Sequence, residues 1–249
     1  MGSTPARPIM DKHITRFVVL TPGRSGSELL CRFIAAQPKI YMCPEIYHGS
    51  FLKQYSPTEV AQFRERPDIY LGRLQSGKSD VLVGSKVVFG EVDERTINKI
   101  IDDSNTAVIL LYRRNLLRMA ISSFLAGAIG QWHIFNERER VKLKNTIIVD
   151  PFDLHASMIH VEHQVRHVKK WLTTRGNTMT VLYEDLNKVS LEAVCAFLNL
   201  PKPASVVPTT IKQMTPEYYK AITNLSDIEL KFRDKFGSLF DDRSPTIWK

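Results

Sequence analysis

RFVVLTPGRSGSELLCRFIAA, residues 16–36, is the stretch from which the fold can be read. Its first six residues form an apolar, β-branched run of the length of a short buried strand. TPGRSGS (residues 21–27) supplies turn residues, and from Glu28 to Ala36 apolar side chains return at helical spacing. The order is strand, glycine loop, helix. At such a joint the free N–H groups of the first helical turn and the helix dipole favour an anion. Gly23 and Gly26 let the backbone come close to it, Arg24 can fork onto its oxygens, and Ser25 and Ser27 add hydroxyl donors. Read alone, the loop also fits an ordinary tight turn. It is not a Walker A loop, because Gly26 is followed by Ser27 and Glu28 where that motif requires Lys.

Outward from this unit the rhythm repeats. The pattern predicts a strand over Val81 to Phe89, a helix from Val92 to Asp103, a strand over Ala107 to Tyr112 and a helix from Asn115 to Ala128. A long helix is expected from Phe152 to Thr174, entered through Asp150-Pro151 and left at Gly176, with a strand from Met179 to Tyr183 after it. This alternation implies an α/β fold, a parallel sheet flanked by helices on both faces, with ligands at the carboxyl ends of its strands. Residues 37–78 and 129–150 do not follow the βα rhythm and read as substrate-facing insertions. Residues 14–249 are expected to form a single domain, and residues 1–13, with Pro5 and Pro8, a flexible leader.

Composition limits the function classes. With 249 residues, 43% apolar and 24% charged, the chain is globular rather than disordered or fibrous. Thirty-four Lys and Arg against 26 Asp and Glu give a net charge of +8, which suits an anionic partner. Cys31, Cys43 and Cys195 include no CxxC pair, so neither a disulfide framework nor a Cys-rich zinc site is indicated. No stretch reaches about 18 uncharged apolar residues, and the expected location is cytoplasmic, away from membrane.

Two further elements lie at strand ends. YRRNLLRMAIS (residues 112–122) closes a buried strand with adjacent arginines, and Arg114 and Ser122 fall within about 80° of each other on a helical wheel if the helix starts at once. It also fits a solvated, positively charged helix start. LYEDL (residues 182–186) ends a strand on an aromatic and two acids, and AFLNLP (residues 196–201) follows at the end of the next helix. Acids in that position commonly cap the next element.

Taken together, PGRSGSELL, YRRNLLRMAIS and LYEDL with AFLNLP resemble, in order, the motifs of the PAPS-dependent sulfotransferases, in particular the bacterial carbohydrate and natural-product type. The resemblance spans roughly residues 16–235 and implies a P-loop-type sheet, PAPS (3′-phosphoadenosine 5′-phosphosulfate) as sulfuryl donor, PAP as product and no metal. It implies that the loop from Gly23 to Ser27 holds the 5′-phosphosulfate, that Arg114 and Ser122 hold the 3′-phosphate, that Tyr183 touches adenine, and that Lys212 closes over the 3′-phosphate. MCPEIYH (residues 42–48) is similar to the segment carrying the catalytic Glu in trehalose-type members. Glu45 is therefore the implied base with His48 as its rival, and Arg24 is the implied electrostatic catalyst. Trp132 and His133 are expected to line the pocket of a small-molecule or carbohydrate acceptor. Glu28 departs from the usual Thr or Ser, so it either contacts a cationic acceptor or pairs with Arg32, four residues on.

Rival readings are a P-loop phosphotransferase, against which the missing Lys counts, and a basic nucleic-acid-binding module, against which the dispersed basic residues and the lack of an RNP pattern count. His160, His163 and His167 have a spacing that could gather a metal, but they stand beside Arg166, Lys169 and Lys170 and read as a polar helix face.

Overall fold

The computed structural model describes residues 14–78, 81–132, 138, 146–203 and 216–240. Five strands, β1 (Arg16–Thr21), β2 (Ile40–Glu45), β3 (Leu82–Val88), β4 (Thr106–Tyr112) and β5 (Thr178–Leu182), form one sheet in the order β2-β3-β1-β4-β5. Every pairing is parallel. β1 lies at the centre between β3 and β4, and all six of its residues are buried. A strand covered on both faces reads as an unbroken apolar run, which is why it stands out in the sequence.

Period-two alternation divides the core. Phe17 and Val19 face α1 (Ser27–Ala35) and α8 (Lys188–Phe197), packing with Leu29, Leu30, Ile34, Leu191 and Val194. Val18 and Leu20 face the opposite layer, built by α3 (Pro57–Glu65), α4 (Pro67–Gln75), α5 (Glu94–Asp102) and the C-terminal half of α7 (Pro151–Leu172). A third cluster joins α6 (Leu116–Ile129) and the start of α7 to α9 (Pro216–Lys220) and α10 (Leu225–Phe236). The predicted parallel sheet with helices on both faces is the architecture found.

One expectation requires correction. Residues 37–78, read as an insertion outside the βα rhythm, contain β2, α2 (Gly49–Leu52), α3 and α4. β2 escaped notice because it is an edge strand: only Cys43 in it is fully buried, and Pro44 sits at a register shift between Cys43 and Glu45. Proline, which cannot donate to the ladder, is tolerated at such an edge. The bulge matters for the site because it puts Glu45 beside Lys86 of β3. Tyr70 Oη then donates to the Ile46 carbonyl at 2.9 Å and Tyr47 Oη to the Phe63 carbonyl at 3.1 Å, fixing the segment after β2 against α3 and α4.

Candidate functional site

The carboxyl ends of β1, β3, β4 and β5 gather two groups of charge. The first is cationic and begins at the glycine loop. Arg24 and Gly26 both have left-handed backbone, with φ of 64° and 85°. Gly26 caps α1 without a side-chain hydrogen bond, so the first N–H groups of the helix receive no capping side chain. A Cβ on Gly26 would lie 2.3 Å from Tyr183 Cδ2, so this position requires glycine for both conformation and space. Gly26→Ala is accordingly expected to cost about 2–4 kcal/mol, combining left-handed strain with overpacking. Gly23→Ala, whose Cβ would meet nothing within 4 Å, is the near-neutral control in the same urea titration.

Ser25 is fully buried and shares a hydroxyl hydrogen bond with Thr21. Arg24 Nε donates to Ser122 Oγ at 3.0 Å, and its terminal nitrogen donates to the Trp132 carbonyl. Burial, with a further push from the Arg113 charge, lowers Arg24 to about 10. Arg113 is nearly buried, its side chain 13% exposed, with its guanidinium 4.7 Å from the centre of the Tyr183 ring. Burial pulls it down as well. Among the described residues its Nε has no hydrogen-bond partner, since Glu184 stays 3.8 Å away and accepts instead from the backbone N–H groups of Arg114 and Asn115, each at 3.0 Å. Glu184 thus shapes the turn after β4, and Arg118 lies buried one helical turn further on.

Arg114 itself is half exposed, with Asp185 4.0 Å away. The helix does not start at once: Asn115 is the cap of α6, so Arg114 lies outside it and the wheel argument pairing it with Ser122 does not hold. Ser122 is buried and turned to Arg24. Tyr183 packs between Gly26 and Arg113. Trp132 is half exposed. His133 and Lys212 lie outside the described residues.

The second group centres on Lys86, which reasoning from the sequence missed. It extends from β3 where that strand pairs with Val19 of β1 and Glu45 of β2, and it is 4% exposed. Its ammonium lies 2.9 Å from Glu45 and 3.3 Å from Glu28, and Arg32 reaches Glu28 at 2.7 Å. Burial pushes Lys86 down, but Cys31, Glu45 and Glu28 together outweigh it and hold it above the ordinary lysine value. Of the two readings of Glu28, the pairing with Arg32 is the one found, and Lys86 adds a second cation from the chain itself.

Glu45, His48 and Glu91 each bring one donor atom within 4.8 Å of the others, and the ammonium of Lys86 already provides a cation on Glu45. His48 is exposed and caps α2, its Nδ1 accepting the Ser50 N–H at 3.2 Å. Glu91 follows β3 in a single 3₁₀ turn, Phe89–Glu91; burial and the Glu45 charge push it up to about 7. On α7, His160 and His163 are exposed and His167 leans on Trp171, with ring centres 6.2 Å apart.

No family model and no curated protein sequence matches the chain. Among solved structures, a sulfotransferase from Alicyclobacillus acidocaldarius superposes with a TM-score of 0.51 at 17% identity, over 92% of this chain and 97% of that one. The sulfotransferase domain of a Synechococcus olefin synthase gives 0.51 at 18% identity, over 89% and 90%. Both superpositions run nearly the full length of the partner, so the shared part is the whole fold rather than a common βαβ fragment: the chain has the fold of the sulfotransferases.

Proposed function

We propose that the protein is a PAPS-dependent sulfotransferase that moves a sulfuryl group to a hydroxyl or amine of a small-molecule or carbohydrate acceptor. The observation that carries this reading is the pair of guanidiniums at the mouth of the glycine loop. Burial lowers the proton affinity of both, the Arg113 charge adding to the fall of Arg24, and among the described residues Arg113 Nε has no hydrogen-bond partner. Two such cations held together favour a ligand carrying negative charge, and they fit a group with a phosphate at each end. Tyr183, packed between Gly26 and Arg113, stands on the side of the site where the resemblance implies an adenine contact.

In this reading the Gly23–Ser27 loop, with Arg24, Ser25, Gly26 and Ser27, holds the 5′-phosphosulfate. Ser122 and Arg114 hold the 3′-phosphate, with Arg113 joining them as a ligand that motif spacing did not suggest, and Lys212 is the remaining contact implied by resemblance. When bound, PAPS supplies the sulfuryl group and a phosphate leaving group. Arg24 and the loop amides provide fixed positive charge where negative charge grows, the kind of preorganised electrostatics that lowers a barrier. Glu45 takes the acceptor proton, with its carboxylate oriented by Lys86. Trp132 and His133 line the acceptor side.

Calorimetry with PAP and AMP tests the donor. PAP is expected to bind more tightly by about 1.5–3 kcal/mol for each charged hydrogen bond to the 3′-phosphate, and Arg114→Ala should erase much of the difference. Equal affinities for PAP and AMP would remove the donor assignment. Labelled PAPS offered with sugar, phenol and amine acceptors then identifies the acceptor class.

A further inference from the structure

Glu91 belongs to none of the motifs, yet its position is unusual. Its Oε2 is buried and accepts no hydrogen bond from the described residues. It stands at the carboxyl end of β3, where its carboxylate, that of Glu45 and the His48 ring come within 4.8 Å of one another. A gap of that size is spanned by two hydrogen bonds through a single water. The charges facing Glu91 come from three elements. Glu45 on β2 disfavours its ionised form, while Lys86 on β3 and Arg64 on α3 favour it, and Val88 donates a backbone hydrogen bond. His48 approaches from the turn after β2.

We propose that Glu91 and Glu45 form a carboxyl pair that shares a proton, with Glu91 as the reservoir to which Glu45 passes the proton it takes from the acceptor. The proposal rests on the reading of Glu45 as the base. In balance, the acceptor O–H or N–H bond breaks, its electron pair goes to the new bond to sulfur, and its proton goes to Glu45, then to Glu91, and finally to water past the exposed His48. Glu45 is thereby restored as a carboxylate on Lys86 for the next turnover. Burial and the neighbouring carboxylate place the Glu91 midpoint at about 7, so at neutral pH it can both accept and release a proton. Glu91 is a positioning residue in this scheme, acting through Glu45.

The pair can be tested without an acceptor. Carboxyl carbon NMR titration of the protein labelled at glutamate should show Glu91 titrating near neutrality, and in Glu45→Gln its midpoint should fall by about one unit or more as the neighbouring charge is removed. A Glu91 that titrates with ordinary carboxylates, or that is unmoved by Glu45→Gln, overturns the pair. With the acceptor found in the labelled-donor screen, Glu91→Gln should lower kcat about tenfold above pH 7 and remove the step near neutrality from the pH profile, less than the loss of a base itself. KM and PAP affinity should be unchanged, and Glu91→Asp should restore the profile. Unchanged kcat in Glu91→Gln overturns the relay. Failure of every acceptor and of PAP binding overturns the sulfotransferase reading instead, and the titration still decides the pair.

Discussion

Lys86→Met lowers the stability of the protein at pH 7 by about 3 kcal/mol, the low end of the range for removing one partner of a buried ion pair. The side chain is almost fully enclosed and holds two carboxylates, Glu28 and Glu45, together from separate elements. Methionine fills similar volume, so packing is kept and the change is one of charge. Two negative groups then face each other across the gap. The low end applies because Glu28 and Glu45 are 30% and 26% exposed, which leaves them partly hydrated, and because Glu28 keeps Arg32. The sign with pH follows. Lys86 is held above the ordinary lysine value, so its stabilising charge is present at pH 7 and is lost only as pH rises through that raised value, where the deficit of the variant shrinks. Urea unfolding at pH 7 and at alkaline pH measures both values. The double variant Lys86→Met with Glu28→Gln should recover part of the loss at pH 7, as coupled neighbours do. A loss below about 1 kcal/mol at pH 7 would mean that solvent, not Lys86, neutralises the two acids.

This lysine also shows where reading from sequence stops. β1, β3 and β4 were legible because sheet positions covered on both sides appear as apolar runs, and their glycine or arginine joints lie at the carboxyl ends; β5, an edge strand, was legible from the helix exit at Gly176 before it and the LYEDL segment that closes it. β2 was not, since its apolar run is only four residues long, Ile40 to Cys43, and is cut off by Pro44 at a bulge on the sheet edge. Without β2 there is no register, and without register Glu45, Glu28 and Lys86 are three unrelated charges. The available signal was a lone Lys inside VLVGSKVVF: a charged residue in a strand that is otherwise buried needs a partner. Arg113 was missed for a different reason. Motif spacing favours Arg114, but the cap at Asn115 delays the helix and sends Arg114 outward, leaving its neighbour under Tyr183. Glu91 has no local signature, because its burial comes from packing between distant segments.

The last expected result concerns the base. Glu45→Gln keeps PAP affinity and lowers kcat by about 10² to 10⁴, the scale of a positioned general base. Glutamine has the same shape, and its carbonyl oxygen can still accept from Lys86, so the cluster is held while the basic oxygen is lost. His48→Ala should cost less. Its Nδ1 is already accepting the Ser50 N–H at the start of α2, and the residue is exposed, where a proton can be handed to water but a nucleophile is poorly screened from it. In the proposed scheme Glu45, held between β2 and β3 by the charge of Lys86, takes the proton, and His48 stands on its way out. Single-turnover measurements with saturating PAPS separate the chemical step from binding for both variants. If His48→Ala loses the chemical step and Glu45→Gln retains it, the base is His48 and Glu45 is the carboxylate that neutralises Lys86.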